Sequence, residues 1–296
     1  MREQSLRKLR RRLQKEERKR RRSNSLRYRR LRRLTLILSV LLLAAVAAGW
    51  FGRAPLAGWQ FQQAQRLFHR GEHEDAVHRL GWVVRIAPDK ALASAARLLK
   101  AEILELQLNR PQQALLAYLT LVRDDPRSPQ AEKALRQAAR IYRNRLHDYG
   151  NALPLLQRLA DAGVADADRI RYQIADCYFR LANYEQARIE FETLQKLYPQ
   201  SPLQPEVSYR IGVALLLEGK PERAAEVFER TAKRWPDDRF ALEALWSLAG
   251  IYERRDELVR ARRLLAGLRG RYPLPELLEK RIGRIDDRIR RKKKAI

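Results

Sequence analysis

Several kinds of residue are scarce in this sequence, and each scarcity excludes something. Cys177 is the only cysteine, so no intramolecular disulfide and no multi-cysteine metal site can form, and no cysteine follows the N-terminal apolar run to carry the lipid of a lipoprotein. Beside Asp176 and Tyr178 in a helical stretch, it reads as a small buried hydrophobe. Of the four histidines, His69, His73 and His78 fall near one turn and His147 stands apart. Gly71 interrupts the helix between the first two, and no carboxylate completes an H-E-x-x-H arrangement, so no metal is expected. In Gly212 to Lys220 six residues separate the glycines where a phosphate loop has four between them, and Pro221 replaces its Ser or Thr. Paired catalytic carboxylates and a Ser-His-Asp set are also missing. The chain is expected to be no enzyme and to need no cofactor.

Sheet formers are sparse as well, while Ala, Leu, Arg, Glu and Gln dominate, which favours an all-α protein. The net charge of +27 is concentrated at the ends: residues 1–33 hold 17 Lys and Arg against 3 Glu, and residues 280–296 hold 9 against 2 Asp. Only Tyr28 interleaves the N-terminal tail as an aromatic, so sequence-specific nucleic acid binding is not expected. Arg10 to Arg12 and Arg18 to Arg22 fit three readings: a solvated topology signal, contact with anionic lipid headgroups, or a cytoplasmic partner.

Leu34 to Gly52 is the one long uncharged run, 19 residues reading LTLILSVLLLAAVAAGWFG, which as a helix covers about 28 Å, the thickness of a bilayer core. Trp50, Phe51, Trp59 and Phe61 follow at the level of the far headgroups. The basic residues precede the span, so the N-terminus is expected in the cytoplasm and the rest of the chain across the membrane. A cleaved signal peptide is the rival, with Ala45, Val46 and Ala47 as its site. The 33-residue basic region is longer than a signal peptide uses.

The most informative pattern is a repeat. Ala76, Ala114, Ala152, Ala187, Ala224 and Ala261 are separated by 38, 38, 35, 37 and 37 residues. A large side chain follows each four residues later: Leu80, Tyr118, Leu156, Phe191, Phe228 and Leu265. Proline follows five of the alanines twelve residues later, at Pro88, Pro126, Pro199, Pro236 and Pro273. In a helical hairpin the Ala permits close approach, the large residue fills the interface, and Pro ends the second helix. Ala64, Ala175, Gly212 and Ala249 supply the small residue of the first helix, and Gly71 and Gly219 the turn. Glu102 and Arg140 stand where the second and third units want a small residue, which marks those units as irregular or longer.

These residues resemble the tetratricopeptide repeat family over about residues 57–273, most clearly in 168–199 (Ala175, Tyr178, Ala187, Phe191, Pro199) and 205–236 (Gly212, Gly219, Ala224, Phe228, Pro236). The segments LYPQSP at 197–202 and RWPDD at 234–238 resemble, more narrowly, the tetratricopeptide proteins of the Gram-negative envelope, of the outer-membrane assembly lipoprotein and Tol-Pal coordinator kinds. Those use a lipid or a cleaved signal where this chain has its apolar run.

The expected organisation is a basic cytoplasmic tail at 1–33, a transmembrane helix at 34–52, a solenoid of about six helix-turn-helix hairpins at 57–273, and a capping helix with a basic tail at 274–296. The resemblance implies that the first helix of each unit lines a concave groove. There Tyr172, Tyr209 and Trp246 recur at one position, as an aromatic ladder for a ligand or as ordinary packing, with Arg169, Asp176, Arg180, Glu253 and Arg254 beside them. The function expected is that of an anchored scaffold in the bacterial inner membrane. Its repeats would be periplasmic and bind a protein or peptide of assembly, secretion, cell-wall or division machinery. Two alternatives stay open: a chaperone-like receptor for exported unfolded chains, and a non-catalytic subunit of an envelope enzyme complex.

Overall fold

The computed structural model describes the backbone of residues 2–294 and the side chains of residues 12–20, 35–43 and 52–294. All regular structure among them is helical: thirteen α-helices and one π-helical turn. The contacts divide the chain into two units, Met1–Ala96 and Arg97–Ile296.

In the first unit, α1 runs without interruption over Arg2–His69, through Pro55. The basic tail, the apolar run and the first repeat helix are thus one helix. Pro55 removes one backbone hydrogen bond from its ladder without ending it. Among the described residues no helix is long and apolar enough to cross a membrane. Of the span expected at 34–52, Leu34 and the side chains of 44–51, including Trp50, Phe51 and the Ala45 to Ala47 site, lie outside them. In the part that is described, Leu36, Ile37, Leu38, Val40, Leu41, Leu42 and Leu43 are all more than half exposed. The end of α1 packs on α2 (His73–Ile86) with Ala57 and Ala64 buried on one side and Ala76, Leu80 and Val83 on the other, and Arg79 Nη1 donates to Gln60 Oε1 at 2.9 Å.

The second unit is the solenoid. It contains α3 (Lys90–Leu106) from Arg97 onward, then α4 (Pro111–Asp124), α5 (Pro129–Ile141), the π-helical turn (Tyr142–Leu146), α6 (Tyr149–Asp161), α7 (Ala167–Arg180), α8 (Tyr184–Leu197), α9 (Gln204–Leu217), α10 (Pro221–Arg234), α11 (Arg239–Arg254), α12 (Leu258–Ala266) and α13 (Pro275–Lys294). Helix starts are built from Pro in the first turn of α4, α5, α9 and α10, where a missing N–H costs nothing, and from Asp148, Asn183 and Asp238, whose side chains accept from backbone N–H groups at α6, α8 and α11.

Across both units the repeat positions are where packing demands them. All six alanines and all six large residues that follow them are fully buried. Burying a ring such as Phe191 or Phe228 stabilises by about 2–3 kcal/mol. Gly212 carries the closest approach: a Cβ there would stand 2.7 Å from Phe228 Cδ1 and 2.9 Å from Cζ, and nearer still to Cε1. Five residues before each alanine the chain turns with positive φ, at Gly71, Asn109, His147, Ala182, Gly219 and Asp256. Two glycines marked this position in the sequence. The other four residues adopt the same left-handed conformation against a steric cost of about 1–2 kcal/mol.

The two irregular units each hold one extra residue. In the second, the turn spans four residues, 107–110, where later hairpins use three. In the third, the extra residue is taken up by the π-helical turn. The buried small residues are accordingly Ala101 and Ala139, one position before Glu102 and Arg140. Both charged side chains then point at a neighbouring repeat: Lys133 Nζ lies 2.6 Å from Glu102, and Arg140 Nη2 lies 2.5 Å from the buried Glu105, which also accepts from Tyr118 Oη at 3.2 Å. The last hairpin departs too. Its second helix, α12, stops at Ala266, well before Pro273, and a string of turns through Tyr272 leads into α13. Leu278, Ile282 and Ile285 of α13 close the end of the core, while Leu277 is exposed.

Candidate functional site

The row of first-helix positions lies on α7, α9 and α11. Tyr172, Tyr209 and Trp246 occupy equivalent places on the three helices, half-buried against the core. Tyr172 meets Phe191 edge-on with centroids 5.6 Å apart, and its Oη donates to Glu206 Oε1 of the next repeat at 2.5 Å. Burial first, and then that bond, push its phenol well above the usual tyrosine range. Tyr209 is tilted between Phe228 at 5.9 Å and Phe240 of the next repeat at 5.8 Å. Trp246 stacks on Tyr272 at 4.7 Å and 6°, and the Arg281 guanidinium stands 4.2 Å from its ring centroid.

The charged candidates divide into two kinds. Asp176 is buried beside Arg143 of the π-helical turn at 3.5 Å and Arg180 at 3.7 Å. Glu253 accepts from Arg281 Nε at 2.6 Å, and the same guanidinium donates through Nη1 to the Trp246 carbonyl at 3.0 Å. Trp246 and Glu253 are therefore joined through one residue of α13. Arg169, Arg180 and Arg254 are exposed. The row thus offers ring edges and three accessible guanidinium groups, with its carboxylates already engaged.

Sequence reasoning did not find Glu206, Phe240, Tyr272 or Arg281, which engage this row. The first, second and last are 34, 31 and 35 residues beyond their partners, about one repeat length, so the repeat offset itself was the available signal. The structure also places the residues that the sequence offered for other chemistry. Cys177 is fully enclosed, and burial pushes its thiol up to about 11, far from the thiolate form. Gly212 to Leu217 lie inside α9, and Lys220 bonds Glu218 at 2.7 Å, so this stretch forms no phosphate loop. His69 and His73 pack on Phe68, His147 faces Tyr149, and among the described residues no three His, Cys, Asp or Glu are grouped to hold a metal ion.

Comparison with known proteins agrees with this architecture. A sequence model of the tetratricopeptide repeat matches residues 61–129, 182–239 and 209–274, and a second such model matches 145–204. No curated protein matches. Among solved structures, a tetratricopeptide repeat protein from Parabacteroides merdae is 16% identical with a TM-score of 0.50, over 76% of this chain and 85% of that one. MamA from Desulfovibrio magneticus RS-1 is 18% identical with a TM-score of 0.44, over 62% of this chain and 97% of that one. The structural likeness concerns the fold alone, whereas the first sequence model covers more than half of the chain. This chain belongs to the tetratricopeptide repeat family.

Proposed function

We propose that the protein is a membrane-anchored scaffold whose repeats bind a protein or peptide partner in the bacterial envelope. The anchor is the run from Leu34 to Gly52, with the N-terminus cytoplasmic, the repeats periplasmic, and the basic tail beside the anionic inner leaflet. One observation carries the reading: seven apolar side chains between Leu36 and Leu43 stand exposed around a helix that leads directly into the repeats. In water such a surface is a liability, and in lipid it is the expected one. Interaction with other proteins is the general work of this family, and a row of aromatic edges with exposed arginines suits a peptide carrying acidic and apolar groups. The narrower likeness to envelope proteins points to assembly, secretion, cell-wall or division machinery as its setting.

The test is crosslinking in intact cells, followed by membrane solubilisation and mass spectrometry, on the full-length chain and on a chain truncated after Gly52. Capture of one envelope protein by the full-length chain alone supports the scaffold. Capture by the truncated tail assigns the work to the cytoplasmic basic segment and refutes it. Recovery of the full-length chain in the soluble fraction refutes the anchor.

A further inference from the structure

Away from the aromatic row, a cleft of about 800 Å³ opens on the solenoid, walled by α8 and α10 and floored by α9. The apolar part of its floor is formed by Ile211 and Leu215 of α9 and Val227 of α10, all buried against the core, beside the buried Ser208, whose hydroxyl is paired with that of Thr231 at 2.6 Å. One wall is strongly basic. Arg223, Arg230, Lys233 and Arg234 recur along one face of α10 at helical spacing.

Several other cations of the solenoid are paired: Arg136 with Asp166, Arg171 with Glu190, Arg188 with Glu218 and Glu192, and Arg281 with Glu253. Those on the α10 wall are not. Arg223, Arg230 and Lys233 have no carboxylate partner among the described residues, and Arg234 lies over the Trp235 ring at 4.7 Å. Two of the three acidic residues of α10 are turned the other way, toward the next repeat, where Glu222 pairs with Arg255 and Glu229 accepts from Tyr252 Oη at 2.8 Å, while Glu226 stays on the cleft wall. Of the two carboxylates that line the cleft, Glu192 is bonded by Arg188 at 3.0 Å. Only Glu226 opposes the four cations.

We propose that this cleft is a second docking site, distinct from the aromatic row, and that it takes an acidic segment of a protein partner whose apolar side chains seat on Ile211, Leu215 and Val227. Charge complementarity selects the acidic residues, since unpaired cations along a wall attract and orient a chain of opposite sign. The recessed apolar floor selects a peptide over other polyanions. A flat bilayer surface cannot reach that floor, and a nucleic acid has no apolar side chain to place on it. Trp235 is the one aromatic that lines the cleft, and Arg234 lies over one of its faces, so there is no row of rings on which successive bases could stack. The cleft needs neither the membrane anchor nor the aromatic row for its occupant.

The experiment measures fluorescence anisotropy of labelled short peptides rich in Glu and Leu, titrated with the full-length chain in neutral detergent. Matched peptides with Gln for Glu, an oligo-dT strand and phosphatidylglycerol vesicles serve as competing probes. The acidic peptides are expected to bind, with affinity falling as salt rises and dropping about tenfold or more for the Gln series and for the Arg223→Glu, Arg230→Glu, Lys233→Glu variant. These three residues are exposed, and unchanged far-UV circular dichroism confirms the fold of the variant. Tyr209→Ala with Trp246→Ala should leave this binding unchanged. Absence of saturable binding overturns the proposal, as does undiminished binding by the charge-reversed variant. Displacement of the peptide by oligo-dT or vesicles as readily as by excess peptide overturns it in favour of a general polyanion surface. Binding lost only in the Tyr209 and Trp246 variant places the peptide in the aromatic row, which leaves the scaffold standing and removes the second site.

Discussion

Replacing Gly212 by alanine tests how tightly the central hairpin is built. An Ala in the interior of α9 is worth about 1 kcal/mol over Gly in helix propensity. Its methyl, however, would meet three Phe228 ring atoms at under 3 Å. That ring is completely buried, where side chains are close-packed. Relief must come from moving α9 off α10, at the usual cost of overpacking, about 1–3 kcal/mol. The hairpin one repeat earlier accommodates Ala175 with Phe191, so a wider spacing is available to the fold and the cost falls within that range without abolishing folding. The expected net loss is up to about 2 kcal/mol, with a midpoint lowered by about 2–4 °C for each kcal/mol. Urea unfolding followed by circular dichroism measures it, repeated in a Phe228→Leu background that removes Cε1 and Cζ. There Gly212→Ala should become neutral or stabilising, giving a coupling of about 1–2 kcal/mol. A Gly212→Ala variant as stable as the parent in both backgrounds would refute the packing argument.

Three further outcomes are expected. Ala182→Gly should stabilise by about 0.5–1 kcal/mol, because Ala182 holds φ of 57° at the turn where Gly71 and Gly219 need no exception; equilibrium unfolding reads it, and a loss of stability would contradict it. Glu218 is almost fully covered, and although burial pulls its carboxyl upward, bonds from Lys220 and Arg188 hold it below the ordinary glutamate value. Its contribution is therefore present above the ordinary glutamate value and lost as pH falls through the lowered one, so Glu218→Gln should cost about 1–2 kcal/mol near neutral pH and converge with the parent in acid. A constant difference across that range in unfolding curves would show that the charge is immaterial. Finally, Cys177 should react with a maleimide only as the chain unfolds, since its thiol is enclosed and pushed up to about 11 by burial. Fast labelling of the native protein would show that the α7 region opens.

The repeats were legible because their signal is packing at a fixed offset. An alanine at the helix crossing, a large residue one turn on, and a proline beyond the helix are each required by geometry that recurs every hairpin, so they survive in the sequence as a period. What did not survive is where the period slips. Glu102 and Arg140 looked misplaced because one added residue in a turn and one in a π-helical turn move the buried small residue to Ala101 and Ala139. Neither insertion has a composition of its own. The end of α12 was equally hidden, since Pro273 is compatible with a helix that stops anywhere before it. Of the candidate row, the equivalence of Tyr172, Tyr209 and Trp246 could be counted out, but not the partners that fix them, because Arg281 is one of many basic residues of the capping helix and nothing in the sequence marks it as the one that reaches back to α11.

Those cross-repeat bonds bear on how the protein answers a mechanical load. Arg143 to Asp176, Tyr172 to Glu206, Arg188 to Glu218, Arg255 to Glu222 and Arg281 to Glu253 all join one hairpin to its immediate neighbour. Tension applied at α13 would be carried by one inter-hairpin seam at a time, so the solenoid would peel in steps from the pulled end. Each step releases one hairpin and leaves the seams behind it intact. A tether built this way lengthens under strain and re-zips when the strain is removed.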